Sequence, residues 1–443
     1  MVSPHNTELD IRSTLNKALS LMGKRGPIIS LYKNPRYNDE PQFFQYTAIF
    51  KKTSTLSIAH NDAENLAGGT AISKEKAIMK ALGEAIERYC LSIFKRKQFI
   101  YASSKELIRD YLDPSKIVSF SSAQLKDNNP KIFAPKEDSK LWWVKGFSII
   151  NNKEILVPVQ LVYVPYHNYD EPVIRLPVTT GASAGTSLEG AVIRGICEVV
   201  ERDSFMIFYL NKLTPPKLDL SKTQDGTFIK IKESFRRYNL DLFVFDISTD
   251  LPFTSIMAII VDRSGIGPAV SVGLKCSFSA KDAIIGAVEE AQQVRPWIRD
   301  EMHNQTNPII NPDSIVDLKG RGLYWSRLER IKDLDFFLNS KNIISVDQFI
   351  EKSTIGGIDF DSLIQRLSQK KLEVVFVDVT RPEVKKAGFF VVKVIIPQLQ
   401  PLYLYEEFKY LDGERLYQVP RALGYKDTPK NEKELNHKPH PFL

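Results

Sequence analysis

The sequence is poor in the residues that build metal cages, disulfide frameworks and membrane spans. Its 443 residues include three cysteines and six histidines. Cys90, Cys197 and Cys276 form no closely spaced pair, and neither CxxC nor HExxH occurs, which argues against zinc as the main metal. Single thiols on or beside apolar helices are expected to be buried and reduced, as in the cytoplasm. No apolar run reaches the ~18 residues that a membrane span needs, and the opening MVSPHNTELDIRSTLNK has no apolar signal core. A GxxxxGKS/T phosphate loop is missing as well. The net charge of +7 is modest and spread along the chain, so it does not mark a nucleic-acid surface. With 43% apolar and 26% charged residues, the chain has the composition of a globular protein with ample core.

What is present is a threefold repeat. The stretches SKEKAIMKALGEAIER from Ser73, SLEGAVIRGICEVVERD from Ser187 and SAKDAIIGAVEEAQQ from Ser279 align on their serines. An alanine follows four positions on, at Ala77, Ala191 and Ala283. A glutamate comes eleven on, at Glu84, Glu198 and Glu290, and fourteen on stand Glu87, Glu201 and Gln293. At about 100° per residue these positions share one narrow sector of a helix. Serine is a favoured N-cap, so each copy opens with a start signal. Like charges three apart cost a helix a few tenths of a kcal/mol, roughly, so helix stability does not ask for them. Their recurrence in register points to function. Five carboxylates and an amide on three helices suit a hard divalent cation, most naturally Mg²⁺ completed by phosphate oxygens.

In chain order, residues 1–60 read as a short helical start followed by strands at 43–50 and 55–60, part of the same body as the rest. Gly68-Gly69 before the first acidic helix would allow a phosphate near its N-terminus. TTGASAGTS (179–187) feeds the second helix and makes Ser183 and Gly185 candidates for backbone contact with a ligand. Buried-strand patterns at 240–248, 255–263 and 269–276 precede the third helix, which Pro296 is expected to stop. Each acidic helix follows strands and small residues, so the fold class is α/β (α+β), with sheet-plus-helix units repeated. Residues 300–350 read as a surface elaboration, 358–380 as helix then strand, and 388–397 as a buried strand. The polar end YKDTPKNEKELNHKPHPFL suggests flexibility until its last residues.

The strings GEAIER (83–88), GTSLEGAVIRGICEVVERD (185–203), EEAQQVR (289–295), VVKVIIPQLQPLY (391–403) and KPHPFL (438–443) together resemble the YcaO superfamily. The resemblance runs over residues 60–443. It implies a YcaO-like catalytic domain at 61–430, with three acidic helices around a Mg-ATP site, and a proline-containing tail at 431–443 that reaches the active site. Carried over by position, Glu84, Glu87, Glu198, Glu201 and Glu290 match the metal ligands. With Arg88, Arg202, Gln293, Ser183 and Gly185 they form the ATP-binding set. The ending Pro439-His440-Pro441-Phe442 resembles that of the azoline-forming cyclodehydratases and makes Leu443, His440 and Pro441 catalytic candidates. Leu443 stands where that branch usually has proline, and Thr70 and Ala71 stand where lysine and glycine are common.

The activity so implied is ATP-dependent. A Cys, Ser or Thr side chain of a ribosomal precursor peptide attacks the preceding carbonyl. The resulting oxygen is phosphorylated, and loss of phosphate leaves a thiazoline or oxazoline, as in bacteriocin-like natural products. The expected partners are the precursor peptide, a leader-binding protein related to ubiquitin-activating enzymes, a flavin-dependent azoline dehydrogenase and a second copy in a homodimer, with no nucleic acid and no membrane. Thioamide or amidine formation, a non-catalytic docking scaffold, and a metal-dependent hydrolase needing no ATP are the competing readings.

Overall fold

In a computed structural model, residues 8–53, 65–126, 135–167, 171–304, 310–312, 315–353 and 359–443 are described. The expected strand at 55–60 lies outside them. Among the described residues the strands form three sheets, almost wholly antiparallel. The first is β1 (Ile28–Lys33), β2 (Phe44–Phe50) and β3 (Leu66–Ala71), in that order. The second orders β4 (Ile100–Ser103), β5 (Lys140–Ser148), β13 (Val375–Asp378), β14 (Phe390–Ile395) and β7 (Ala182–Gly185), with β6 (Lys153–Pro158) paired to β5. The third runs β11 (Val270–Ser277), β10 (Thr254–Val261), β9 (Asp241–Asp246), β8 (Lys217–Asp219) and β12 (Ile343–Ser345), with β8 and β12 parallel.

The helices that matter for the site are α2 (Lys74–Leu91), α4 (Leu188–Leu210) and α6 (Ala280–Asn304); α1 (Glu8–Leu19), α3 (Ser122–Lys126), α5 (Gly226–Arg237) and α7 (Leu318–Trp325) lie between and around them. Each of the three starts where its serine predicts. Ser73 accepts the Lys76 N–H, Ser187 the Gly190 N–H and Ser279 the Asp282 N–H, satisfying donors that a helix start leaves open. The alanines at the fourth position are fully buried, and small side chains let helix and strand close up. At Gly69 a Cβ would stand 2.3 Å from Ala77 O and Ala81 N, and at Gly273 it would stand 2.2 Å from Ala287 O and Ala291 N. Gly68 and Gly69 therefore lie inside β3, and Gly69 serves helix packing instead of a phosphate loop.

Two other expectations change. Pro296 does not end α6, which runs on to Asn304. Proline removes one N–H from the ladder, and tertiary ion pairs hold the helix on both sides of it. Arg295, 1% exposed, bonds both oxygens of Glu40 at 2.9 Å and Asp262 at 2.9 Å, while Arg299 bonds both oxygens of Asp39 at 2.9 Å. Residues 300–350 are not merely a surface addition: Arg321, Trp325, Leu334 and Phe337 are buried and β12 extends the third sheet.

The polar end is anchored as well. Asn436 N–H donates to Leu210 O at 2.7 Å, and Pro439 O accepts from Tyr209 Oη at 2.7 Å and Trp325 Nε1 at 3.1 Å. Arg321 donates to His440 O at 3.0 Å. A composition poor in apolar residues is thus held by backbone carbonyls that buried donors need as partners.

Candidate active site

The three acidic helices meet three exposed sheet ends. β3, β7 and β11 each finish their sheet, so each keeps one row of backbone N–H groups with no strand beside it. Such edges would be open to pairing with other chains. Carboxylates fill the place of a neighbouring strand. The glutamate eleven residues past each serine caps its own repeat: Glu84 accepts the Gly68 N–H at 3.0 Å, Glu198 the Gly181 N–H at 3.2 Å and Glu290 the Leu274 N–H at 2.6 Å. The residue three further on reaches the next repeat. Glu87 accepts the Ala184 N–H at 2.7 Å, and Glu201 the Cys276 N–H at 2.7 Å. Gln293 closes the circle: a Cβ on Gly68 of the first repeat would stand 3.1 Å from its Nε2. Accordingly α2 packs on β3 and β7, α4 on β7 and β11, and α6 on β11 and β3.

Two of the arginines serve this ring. Arg88 pairs with Glu84 at 2.8 Å and donates to Leu66 O at 3.1 Å. Arg202 bonds Glu201 at 2.5 Å and lies 3.6 Å from Glu198. Burial works to lower the Arg202 pKa, and Glu201, Glu290 and Glu198 outweigh it, so the group stays firmly cationic. Lys275 on β11 is a third cation here, since Glu201, Glu290 and Glu198 outweigh burial and keep it charged. Burial, with Glu198 and Glu84 nearby, pushes Glu87 up to about 8, against the pull of the Ala184 N–H. Burial and Glu201 push Glu290 up to about 7, and burial also raises Glu198. Crowded acids with raised pKa values are what a divalent cation would discharge.

Among the described residues, no three carboxylates, thiols or imidazoles converge into one ready coordination shell. The acids are spread around a ring because each spends one oxygen on a strand N–H. That donor set fits Mg²⁺ held by one or two carboxylates and finished by phosphate oxygens, and it does not fit a closed protein cage.

The remaining candidates fall in three places. Ser183 spends its hydroxyl on Ala191 O at 2.5 Å, and a Cβ on Gly185 would lie 2.7 Å from Ala191 N, so both seat β7 against α4. Phe442 is 2% exposed and its ring lies 4.2 Å from the Arg202 guanidinium, which brings the tail to the edge of the acidic ring, with Pro441 and Leu443 on either side of it. His440 departs from expectation. Its imidazole is fully buried among Phe205, Tyr209 and Tyr403, and its Nε2 lies 2.7 Å from Tyr403 O. Burial, and Arg321 beside it, hold its pKa well below the usual value. It is a neutral anchor of the tail, not an accessible base.

Three residues escaped the sequence reading. Glu289 accepts the Ile72 N–H at 2.9 Å and pairs with Lys80 at 2.6 Å, tying α6 to the start of α2; its place in the Glu289-Glu290 doublet was the available signal. Lys393 on β14 and Arg175 before β7 are basic side chains buried beside the second repeat, where burial brings Lys393 down to about 7 and Arg175 to about 10, and a single basic residue in an apolar run was their only trace.

Residues 68–400 match the family model described as YcaO cyclodehydratase, ATP- and Mg²⁺-binding. An uncharacterized protein of Methanothermobacter thermautotrophicus is 25% identical over 348 residues, which are 77% of this chain and 83% of that one. Among solved structures, a heterocyclase in complex with substrate and cofactor superposes with a TM-score of 0.80 at 22% identity, covering 98% of this chain. This chain spans 57% of that heterocyclase, little more than half its length. YcaO from Methanopyrus kandleri bound with AMPPCP and Mg²⁺ gives 0.62 at 16% identity, covering 96% of this chain and 95% of that one. At these identities the superpositions speak for the fold. No helix among the described residues is long and apolar enough to cross a membrane.

Proposed function

Since the chain belongs to the YcaO family, an ATP- and Mg²⁺-binding enzyme family, we propose that it is a cyclodehydratase. It converts Cys, Ser or Thr residues of a ribosomal precursor peptide to thiazoline or oxazoline rings. The observation that carries this reading is the ring of five carboxylates that the three helices gather at the sheet ends, where burial and neighbouring acids raise Glu87 to about 8 and Glu290 to about 7. Acids that hold protons in the absence of metal would give them up to a divalent cation, which suits a metal-bridged triphosphate.

Glu84, Glu87, Glu198, Glu201 and Glu290 are the metal-facing acids. Arg88 and Arg202 orient them, and Gln293 completes the ring without adding charge. When bound, Mg·ATP supplies the phosphoryl group that makes the peptide's amide oxygen a leaving group. The protein's share is positioning and fixed charge, set before the substrate arrives. Residues 61–430 form the catalytic domain. In the tail, 431–443, Leu443 and Pro441 remain the candidates at the reaction centre, since His440 is sealed in. A separate leader-binding protein related to ubiquitin-activating enzymes would present the peptide. An azoline dehydrogenase and a second copy of this chain complete the proposed assembly, in the cytoplasm.

The test is a mass spectrum of candidate precursor peptide after incubation with the chain, the leader-binding partner, Mg²⁺ and ATP. Loss of one water per modified residue, with ADP and phosphate formed in step, is the expected result. Exchange of oxygen for sulfur when sulfide is supplied would establish thioamide formation instead. Modification without ATP would refute phosphoryl transfer.

A further inference from the structure

One junction of the ring carries a second chemistry. The helix positions ten past the repeat serines are Gly83, Cys197 and Glu289. The strand residues whose N–H groups Glu87 and Glu201 hold are Ala184 and Cys276. Only where α4 meets β11 does a thiol stand on both sides. Cys197 lies one helical turn before Glu201, on the same side of α4, and Glu201 reaches the Cys276 N–H at 2.7 Å. The two side chains are thereby brought together. The Cys276 thiol interacts directly with the Cys197 thiol and with the hydroxyl of Ser255, its cross-strand neighbour on β10, and both sulfurs belong to one apolar cluster beside α4.

The surroundings set this pair apart from an inert core thiol. Cys90 on α2 is of the inert kind: it is fully buried, and burial pushes its pKa up to about 12. Cys276 is sealed as well, and burial raises its thiol well above the usual range. Cys197 is only partly buried, so a small solute can reach it, and Lys275 puts an ammonium beside it. One reachable sulfur with a second sulfur buried against it is the arrangement that thiol oxidation uses, the first sulfur being attacked and the second resolving it.

We propose that Cys197 and Cys276 form an oxidation-sensitive dithiol, which a peroxide converts to a disulfide that disables the acidic ring. The Cys197 sulfur attacks one peroxide oxygen, the O–O bond breaks, and the departing hydroxide leaves as water with the thiol proton. The Cys276 sulfur then displaces the hydroxyl from the Cys197 sulfur. The S–S bond forms, the S–O bond breaks, and that hydroxyl leaves as a second water with the Cys276 proton. The two thiols lose two electrons, and the peroxide gains them. The bond draws the sulfurs to about 2 Å. It pins α4 to β11 at the residue before Glu198 and at the strand residue that Glu201 holds, so both acids lose the freedom to close on a metal. Formation of the bridge is independent of the cyclodehydratase reading, and its effect on nucleotide binding rests on that reading.

The test oxidises the full chain with hydrogen peroxide and maps its thiols by alkylation and peptide mass. A Cys197–Cys276 pair joined with loss of two hydrogens is expected, with Cys90 still open to alkylation after unfolding. Affinity for Mg·AMPPCP, titrated in a calorimeter, should fall by about tenfold or more and return with a thiol reductant. Cys197→Ser and Cys276→Ala should each bind Mg·AMPPCP within about twofold of the untreated chain and keep that affinity in peroxide. Peroxide that leaves both thiols free, that takes Cys197 to the sulfinic acid without a bridge, or that bridges two chains overturns the dithiol. A bridged chain that binds Mg·AMPPCP as the reduced chain does overturns the disabling effect. A chain that forms the reversible bridge and binds Mg·AMPPCP in neither state refutes the nucleotide reading and leaves the dithiol in place.

Discussion

Glu201 accepts the Cys276 backbone N–H at 2.7 Å with one oxygen and bonds Arg202 at 2.5 Å with the other. A single carboxylate thereby joins the second repeat's helix to the third repeat's strand and fixes the arginine that lies between the acids and the Phe442 ring of the tail. The acids of this protein hold sheets together and gather negative charge at once. The two roles can be separated by substitution.

At Glu290 the separation is cleanest, because its pKa of about 7 means that the folded protein already tolerates the neutral form. Glu290→Gln keeps an acceptor for the Leu274 N–H, and should melt close to the wild type while metal-dependent ADP formation falls by about a hundredfold. Glu290→Ala leaves that N–H unpaired and should cost about 1–3 kcal/mol besides. Equal stability of the two variants in denaturant titrations would refute the edge-capping role, and unchanged turnover in the glutamine variant would refute the metal role.

Metal binding should depend on pH in a definite direction. Glu87 titrates at about 8 and Glu290 at about 7 without metal, and a divalent cation binds their deprotonated forms. Mg²⁺-dependent nucleotide binding is therefore expected to strengthen from pH 6 to pH 8.5, by up to about tenfold per unit for each proton displaced. A flat profile measured by fluorescence or calorimetry would contradict the crowding of the acids.

Gly273 lies on β11 where α6 crosses it, with helix backbone 2.2 Å from the position of an added Cβ. Backbone cannot swing aside as a side chain can. Gly273→Ala is expected to destabilise the protein by about 1–3 kcal/mol or more, read from urea unfolding. A change under about 0.5 kcal/mol would show that the helix rides higher on the strand than described.

The buried, neutral His440 gives the tail a pH dependence of its own. Its folded pKa is depressed, so the unfolded chain takes up a proton first as the pH falls through about 6.5, and stability is lost from there downward. The difference in unfolding free energy between wild type and His440→Phe should slope by about 1.4 kcal/mol per pH unit below that point and be level above it. A level difference across pH 5–8 would place the imidazole in water.

Much of this was legible in the sequence because it repeats. Ser73, Ser187 and Ser279 announced three helix starts, and the spacing to Glu84, Glu198 and Glu290 announced a shared face, since both are local properties of a helix. The partners of those acids were not legible. That Glu87 bonds Ala184 and Glu201 bonds Cys276 depends on which strands end their sheets, and sheet order is set by pairings distant in the chain. The run through Pro296 was missed for a similar reason, as the ion pairs of Arg295 and Arg299 come from Asp39 and Glu40, more than two hundred residues away. His440 misled because a histidine near a terminus reads the same whether it is sealed in a core or left at a site.

The closed circle of helices on sheet ends also bears on how the chain is made. Until the third repeat is synthesised, β3 has no Gln293, α4 has no β11 and β7 still waits for β14, so Glu201 faces an unfinished partner and sheet ends stay adhesive. A nascent chain that stops short of residue 293 would present unguarded edges to its neighbours, the condition under which β-rich intermediates aggregate. Closing the ring of acids and covering the sheet ends are thus tied together in biogenesis, since the same glutamates do both.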